Sequence, residues 1–298
     1  MKHLLKLEGM PSAAMEEILA SAKVIKAKRG GGEAKPLDGQ TWALIFTKSS
    51  TRTRVSFEVG IRELGGSVMF LNANDMQLGR GEPIKDTARV LGRMVHGAVI
   101  RTFAQADVEE FAEYSGIPTI NALTDDEHPC QILTDIFTFQ ERRGPIRGKV
   151  VTYVGDGGCN VPVSWVHAAA ALDFELRIAA PSEFQPSTEI LAKAGGNISC
   201  TEDIRAAVKG ADMVYTDVWV SMGMEAEAEA RLAKLAGYQI NGELMRLAKP
   251  DTLVMHCLPA YRGKEIDAET FEAHADTIFT QAENRLHTQK AILAWLAG

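Results

Sequence analysis

The chain has 298 residues, 46% apolar and 24% charged, enough for two domains of ordinary size and without an apolar run long enough to span a bilayer. Its formal net charge of −7 excludes nucleic-acid binding by general counterion replacement, so an anionic ligand has to be held by a local cluster. Cys130, Cys159, Cys200 and Cys257 lack the Cys-x-x-Cys spacing of a zinc site or redox dithiol and read as free thiols, and Met1-Lys2-His3-Leu4-Leu5-Lys6-Leu7-Glu8 meets charge too early for a secretory signal. A cytoplasmic location is the expectation.

Strand-like runs alternate with helical patterns throughout, without an internal repeat or low-complexity tract, which is the α/β signature. In the first half the expected strands are Trp42 to Phe46, Val68 to Leu71, Ala98 to Ile100 and Pro118 to Ile120. Helices fall between them: Phe57, Ile61 and Leu64 share one face at i, i+4 and i+7, and Ile84 to Val95 forms a second candidate. The stretch Arg142-Arg143-Gly144-Pro145-Ile146-Arg147-Gly148 breaks the pattern and reads as a boundary between two parallel-sheet domains. Beyond it the expected strands are Val150 to Val154, Glu175 to Ala179, Met213 to Thr216, Thr252 to Met255 and Thr277 to Phe279, with a terminal helix over Arg285 to Leu296.

In open parallel sheets ligands bind beyond the carboxyl ends of the strands, so polar residues there are the candidates. Where the first strand gives way to a helix, Ser49-Ser50-Thr51-Arg52-Thr53-Arg54 sets hydroxyls and guanidiniums at free N–H groups and the positive end of a helix dipole, a composition suited to phosphate. An N-cap accounts for one Ser or Thr of this run but not for Arg52 and Arg54, cations at the end that disfavours them. Arg101 follows the third strand, and His128-Pro129-Cys130-Gln131 opens a helix after the fourth, with Pro129 in its first turn. His128 alone reads equally as a structural or a catalytic histidine, and Gln131 as a plain surface residue.

Val154-Gly155-Asp156-Gly157-Gly158-Cys159-Asn160 has the outline of a dinucleotide fingerprint. However, Asn160 stands at the third glycine position, and the next strand ends Ala179-Ala180-Pro181 with no carboxylate for a ribose, which disfavours a nicotinamide enzyme. The absence of a Gly-x-x-x-x-Gly-Lys-Ser/Thr sequence disfavours a P-loop phosphotransferase. Asp217 to Met224 follows a further strand end, and Gly223 with the acidic helix behind it suits a mobile loop. In His256-Cys257-Leu258-Pro259 the thiol is either a nucleophile or a small buried apolar group. Neighbours on a strand face opposite ways, so His256 is expected to be badly placed as its base.

Taken in order, six segments resemble the aspartate/ornithine carbamoyltransferase family. They are Ser50-Thr51-Arg52-Thr53-Arg54, Gln77-Leu78-Gly79-Arg80-Gly81-Glu82, Asp86-Thr87-Ala88-Arg89-Val90-Leu91, His128-Pro129-Cys130-Gln131, Asp217-Val218-Trp219 with Ser221-Met222-Gly223, and His256-Cys257-Leu258-Pro259. The resemblance implies two doubly wound parallel-sheet α/β domains joined by interdomain helices. It places a carbamoyl phosphate-binding domain over 1–127, to which a C-terminal helix over 285–298 returns, an interdomain helix over 128–144, and an ornithine-binding domain over 145–284. It also implies a homotrimer, no cofactor and no metal, and transfer of a carbamoyl group from carbamoyl phosphate to the side-chain amine of L-ornithine, with arginine biosynthesis as the expected setting.

The same resemblance gives residues their roles. Ser50, Thr51, Arg52 and Thr53 stand as the phosphate cradle, with Gln77, supplied across a subunit interface, and Arg285 as further carbamoyl phosphate contacts. Arg101, His128 and Gln131 fall around the carbamoyl carbonyl and bridging oxygen, and the adjoining Pro129 and Cys130 are counted with them. Asn160, Asp217, Ser221 and Met222 resemble the ornithine contacts, while Cys257 and Leu258 lie where the family closes the site. Arg52, Arg101 and His128 are expected to stabilise oxyanion and leaving phosphate, and Asp217 and Cys257 to orient the amine and take its proton. The alternatives are the same chemistry on putrescine or an N-acylated ornithine, and a carbamoyl phosphate-binding homologue without turnover. Three positions depart from the family pattern: the turn before Asn160 is one residue longer, Tyr261 replaces an expected histidine, and Pro162 sits in a first helical turn.

Overall fold

A computed structural model of the chain describes every residue except 33, 73–80, 222 and 224, and the side chain of Glu225. The backbone divides into two compact units, Met1–Phe137 with Asn284–Gly298, and Thr138–Glu283. Each is an α/β unit built on an all-parallel sheet.

The first unit runs α1 (Ser12–Ala27), β1 (Thr41–Phe46), α2 (Thr51–Glu63), β2 (Ser67–Asn72), α3 (Ile84–Leu91), β3 (Gly97–Arg101), α4 (Gln105–Ser115), β4 (Thr119–Leu123) and the start of α5 (Pro129–Arg143). Its strand order is β2-β1-β3-β4. Connections from β1 go one way to β2 and those after α3 go the other way, so they diverge between β1 and β3, the switch point at which parallel sheets open a crevice. The two central strands read as nearly continuous apolar runs because both their faces are covered. Ala43, Ile45, Ala98 and Ile100 are buried in one cluster with Val108 and Phe111 of α4. The helix expected to reach Val95 stops at Leu91, where Gly92 is its C-cap. A Cβ at Gly92 would stand 1.7 Å from the Ser115 carbonyl oxygen, so the end of α4 fixes where α3 ends.

The second unit continues with β5 (Val150–Val154), α6 (Asn160–Leu172), β6 (Glu175–Ala179), α7 (Thr188–Ala194), β7 (Ile198–Thr201), α8 (Ile204–Val208), β8 (Met213–Thr216), α9 (Ala228–Leu235), α10 (Gly242–Met245), β9 (Leu253–His256) and α11 (Ala268–Ala273). The last helix, α12 (Ala275–Ala297), contributes residues to both units. The order β7-β6-β5-β8-β9 puts this sheet's switch point between β5 and β8. Val154, Ala179, Val214 and Val254 pack with Ile240, Ile266 and Phe271 in its core.

Two sequence expectations are overturned. Thr277 to Phe279 is helical, inside α12, where Ile278 is buried and Phe279 exposed; a β-branched and aromatic triplet lost to the helical stripe around it. The strand β7 was not expected, because Ile198-Ser199-Cys200-Thr201 is a short edge strand without a fully buried residue and so carries no apolar run.

Gly97 tests the packing at the first switch point. A Cβ there would lie 2.5 Å from the ring of buried Trp42 on the neighbouring strand. Gly97→Ala is expected to cost about 1–3 kcal/mol in urea unfolding through overpacking. Gly31→Ala, with nothing within 4 Å, should stay within about 0.5 kcal/mol of wild type.

Candidate active site

In the first unit the candidate residues sit on the loops beyond β1, β3 and β4 and on α12. Ser50 is the N-cap of α2, its Oγ accepting from the Thr53 N–H at 3.2 Å, so capping explains that hydroxyl. Arg54 is also accounted for without a ligand: its guanidinium carbon lies 3.7 Å from the Phe70 ring centroid, and Nε is 3.5 Å from Glu58. Thr51 and Arg52 are exposed on the first turn, while Thr53 is buried. Arg285, 4% exposed, donates from Nη2 to Thr53 Oγ1 at 3.2 Å and from Nη1 to Gln131 Oε1 at 2.5 Å. One guanidinium thus joins the first turn of α2 to the first turn of α5. Gln131 is oriented further by donating to Asp135 Oδ1 at 2.8 Å, which makes it a buried network member and not the surface residue that sequence alone suggested.

Arg101 and His128 are buried in the same unit. Burial first, then the charges of Arg285 and Arg101, hold His128 well below the ordinary imidazole range, so it is neutral near pH 7. A neutral imidazole there can hydrogen-bond a polarised carbonyl without adding to the local positive charge. Pro129 opens α5. The Cys130 thiol turns away toward β4, donating to the Asn121 carbonyl at 3.4 Å, and burial pushes it up to about 12; only its backbone is suited to a ligand. Gln77 lies outside the described residues.

In the second unit the glycine-rich turn beyond β5 faces the residues beyond β8. Gly155 has φ +129°, a conformation side chains disfavour, and a Cβ on Gly157 would meet Ile178 at 2.6 Å. Asp156 accepts from Gly158 N–H at 3.1 Å and pairs with Arg231 of α9, which also donates from Nε to the Trp219 carbonyl at 3.1 Å. This buried pair ties α9 to the turn beyond β5 and, through the Trp219 carbonyl, to the residues beyond β8. Asp156 lies in the glycine-rich segment singled out from the sequence, but Arg231 lies in none, and an arginine within an exposed-looking acidic stretch gave no signal. Asn160 is the first residue of α6, half-buried, and Pro162 takes the third position, where its missing N–H is one a helix leaves unbonded anyway. Ser221 is half-buried in the loop, and Met222 lies outside the described residues.

Asp217 is buried just beyond β8, accepting from Val218 N–H at 2.7 Å and from the Cys257 thiol. Burial pushes its carboxyl up, with those two hydrogen bonds pulling the other way. His256 stands closer to this pair than strand alternation predicts. Its donor atom, that of Cys257 and that of Asp217 all lie within 4.8 Å of one another, because Cys257 is already past the end of β9 and the backbone turns there. Leu258, at φ +60°, donates its N–H to His256 Nδ1 at 2.9 Å. That bond leaves the ring proton on Nε2, which faces buried Glu265 Oε1 at 3.1 Å. Glu265 Oε1 also accepts from Tyr261 N–H at 2.6 Å. Both ring nitrogens are therefore committed to holding the Cys257-Leu258 turn, and the trio works as a hydrogen-bonded group rather than an open metal site. Leu258 enters through its strained backbone, and Tyr261 through its N–H, which any residue there but proline would supply.

The depressed His128 has a measurable consequence. An unfolded histidine binds a proton near its ordinary pKa of about 6.5, and the buried one does not, so stability falls as pH drops below that value. Urea unfolding between pH 7 and pH 5 should lose up to about 1.4 kcal/mol per pH unit from this group. His128→Gln should flatten the profile by that amount; an unchanged slope would show that the folded imidazole protonates normally.

The chain matches two family models end to end. Residues 2–141 match the aspartate/ornithine carbamoyltransferase carbamoyl-P binding domain, and residues 147–296 the Asp/Orn binding domain. It is 55% identical over 300 residues to the ornithine carbamoyltransferase of Akkermansia muciniphila, covering 100% of this chain and 98% of the relative. It is 50% identical to that of Nitrosococcus oceani, covering 98% and 96%. Among solved structures, the ornithine carbamoyltransferase of Pyrococcus furiosus superposes with a TM-score of 0.93 at 44% identity, covering 100% and 97%. The anabolic enzyme of Campylobacter jejuni gives a TM-score of 0.94 at 43% identity, covering 99% of each chain. With both of its sheets matched in order and relatives this similar over their full length, the chain belongs to the aspartate/ornithine carbamoyltransferase family.

Proposed function

We propose that the chain transfers the carbamoyl group of carbamoyl phosphate to the side-chain amine of L-ornithine, releasing L-citrulline and phosphate. The observation that carries this assignment is the pairing, in one chain, of a carbamoyl-P binding domain match with an Asp/Orn binding domain match, alongside relatives about half identical that are named ornithine carbamoyltransferases.

The amine nitrogen attacks the carbonyl carbon, the bond from that carbon to the bridging oxygen breaks with the oxygen leaving on phosphate, and the nitrogen gives up a proton. Ser50, Thr51, Arg52 and Thr53 take the phosphate, with Arg285 and Gln131 beside them. Arg101 and neutral His128 stabilise the carbonyl oxygen as it becomes an oxyanion, a contribution of about 2.7–4 kcal/mol for a single well-placed donor. Ornithine's ammonium, comparable to lysine's with a reference pKa of about 10.4, has to lose a proton before attack. Asp217 and Cys257 orient that nitrogen and accept the proton, and Asn160, Ser221 and Met222 hold the amino-acid end. Gln77, Pro129, Cys130 and Leu258 complete the donor's surroundings.

The cellular setting belongs to the same proposal: a cytoplasmic homotrimer forming citrulline for arginine biosynthesis. Among the described residues no helix is long and apolar enough to cross a membrane.

Incubation with carbamoyl phosphate and each amine separately tests the acceptor. Ornithine should turn over fastest; a faster reaction with putrescine or N-acetylornithine would reassign it, and product from no amine would leave a donor-binding protein. A second measurement tests the division of labour. Arg52→Gly should weaken carbamoyl phosphate binding and lower kcat by about 10²–10³-fold. Cys257→Ser should keep donor binding and lower kcat by about 10²-fold. Equal loss of donor binding in both variants would refute it.

A further inference from the structure

Lys48 lies in the short connection between β1 and α2 and has no part in the roles described so far, yet it is only 6% exposed. Its ammonium pairs with the Asp125 carboxylate and lies 4.2 Å from the centroid of the Phe103 ring. Those partners come from two other loops. The loop beyond β1 carries Lys48 into the Ser50–Thr53 turn, the loop beyond β3 carries Arg101 and Phe103, and the loop beyond β4 carries Asp125 and His128. Backbone bonds join the same three: Thr47 N–H to Arg101 O at 2.9 Å, Thr102 N–H to Leu123 O at 3.0 Å, and Asp125 N–H to Phe103 O at 2.8 Å. Thr47 Oγ1 adds a bond to Thr102 Oγ1 at 3.0 Å.

The backbone bonds hold the roots of the loops, and Lys48 is the side chain that reaches across all of them. A buried ammonium is costly unless paired, so the charge stays only where its partners are. Asp125 is 58% exposed, which makes the pair a weak contributor to global stability. Its leverage is on position, where a displacement of about 1 Å can cost about 10²-fold in rate.

We propose that Lys48 is a positioning residue, acting through Asp125 to keep the phosphate turn at a fixed distance from Arg101 and His128. This rests on the assignment of phosphate to the α2 turn and of the carbamoyl end to Arg101 and His128. It predicts a split between two ligands. Inorganic phosphate occupies the α2 turn alone, whereas carbamoyl phosphate has to span both groups.

The test measures the Kd of inorganic phosphate by calorimetry and the kcat and KM for carbamoyl phosphate. The set is wild type, Lys48→Met, Lys48→Arg, Asp125→Asn, the Lys48→Met/Asp125→Asn double variant, and Arg52→Gly as the control on the cradle. Lys48→Met and Asp125→Asn should hold phosphate within about twofold while kcat/KM for carbamoyl phosphate falls roughly 10- to 100-fold. The double variant should be no worse than the poorer single variant, as expected for two residues acting as one unit, and Lys48→Arg should recover part of the loss. Phosphate binding lost in Lys48→Met as far as in Arg52→Gly would make Lys48 a direct ligand and overturn the proposal. So would an unchanged kcat/KM, or losses that multiply in the double variant. If Lys48→Met does not fold, Asp125→Asn at its half-exposed position carries the same comparison. Phosphate retained by Arg52→Gly would sink the cradle assignment itself, an outcome separate from any result at Lys48.

Discussion

Parallel strands deliver their carboxyl ends to one edge of a sheet, and a chain that enters at a central strand has to send its later connections to opposite sides. Where those connections part, no crossover covers the edge, and helix N-termini surround it. Both sheets of this protein obey that constraint. In one the parting falls between β1 and β3, in the other between β5 and β8. The chemical groups follow from it: Ser50 to Thr53 and Arg101 flank the first parting, and the glycine turn and Asp217 flank the second. His128 and Cys257 stand one strand further out in each case.

The two edges are prepared with opposite polarity. Around the first, Arg101 and Arg285 are buried donors, and burial together with their charge keeps the His128 imidazole uncharged. Around the second, the buried Asp217 carboxylate accepts from Val218 N–H and the Cys257 thiol, and the His256 ring holds the turn that follows Cys257, its own proton directed to Glu265. One edge is lined by cationic donors and the other by a carboxylate and a thiol. The supporting residues, Glu265 and the Asp156–Arg231 pair, bond to the backbone of the turns around them. Their work is to keep loops in place that have no strand or helix to do so.

Much of the architecture was legible in the chain itself, since buried parallel strands are continuous apolar runs and helices show their stripes. Trp42 to Phe46 and Val150 to Val154 could be located almost to the residue. The failures have physical causes. Thr277 to Phe279 has strand-like side chains but sits in a helix whose other residues outvote them, and β7 is an edge strand with little to bury. At the site, motif residues at strand ends were readable, and their supports were not. Lys48, Glu265 and Arg231 act through partners 77, 9 and 75 residues away, and no local spacing encodes such a pairing. Strand alternation ceases to apply at Cys257, one residue past the end of β9, so His256 stands nearer to that thiol than neighbours within a strand do.

Arg285 closes the first unit from the far end of the chain. Its bonds to Thr53 and Gln131 span 232 and 154 residues, so the segment Met1–Phe137 emerges from the ribosome long before the guanidinium that completes it. During synthesis the first sheet can form while the bridge between α2 and α5 is still missing. The bridge from α2 to α5 is thereby added only after every strand of both sheets has been made.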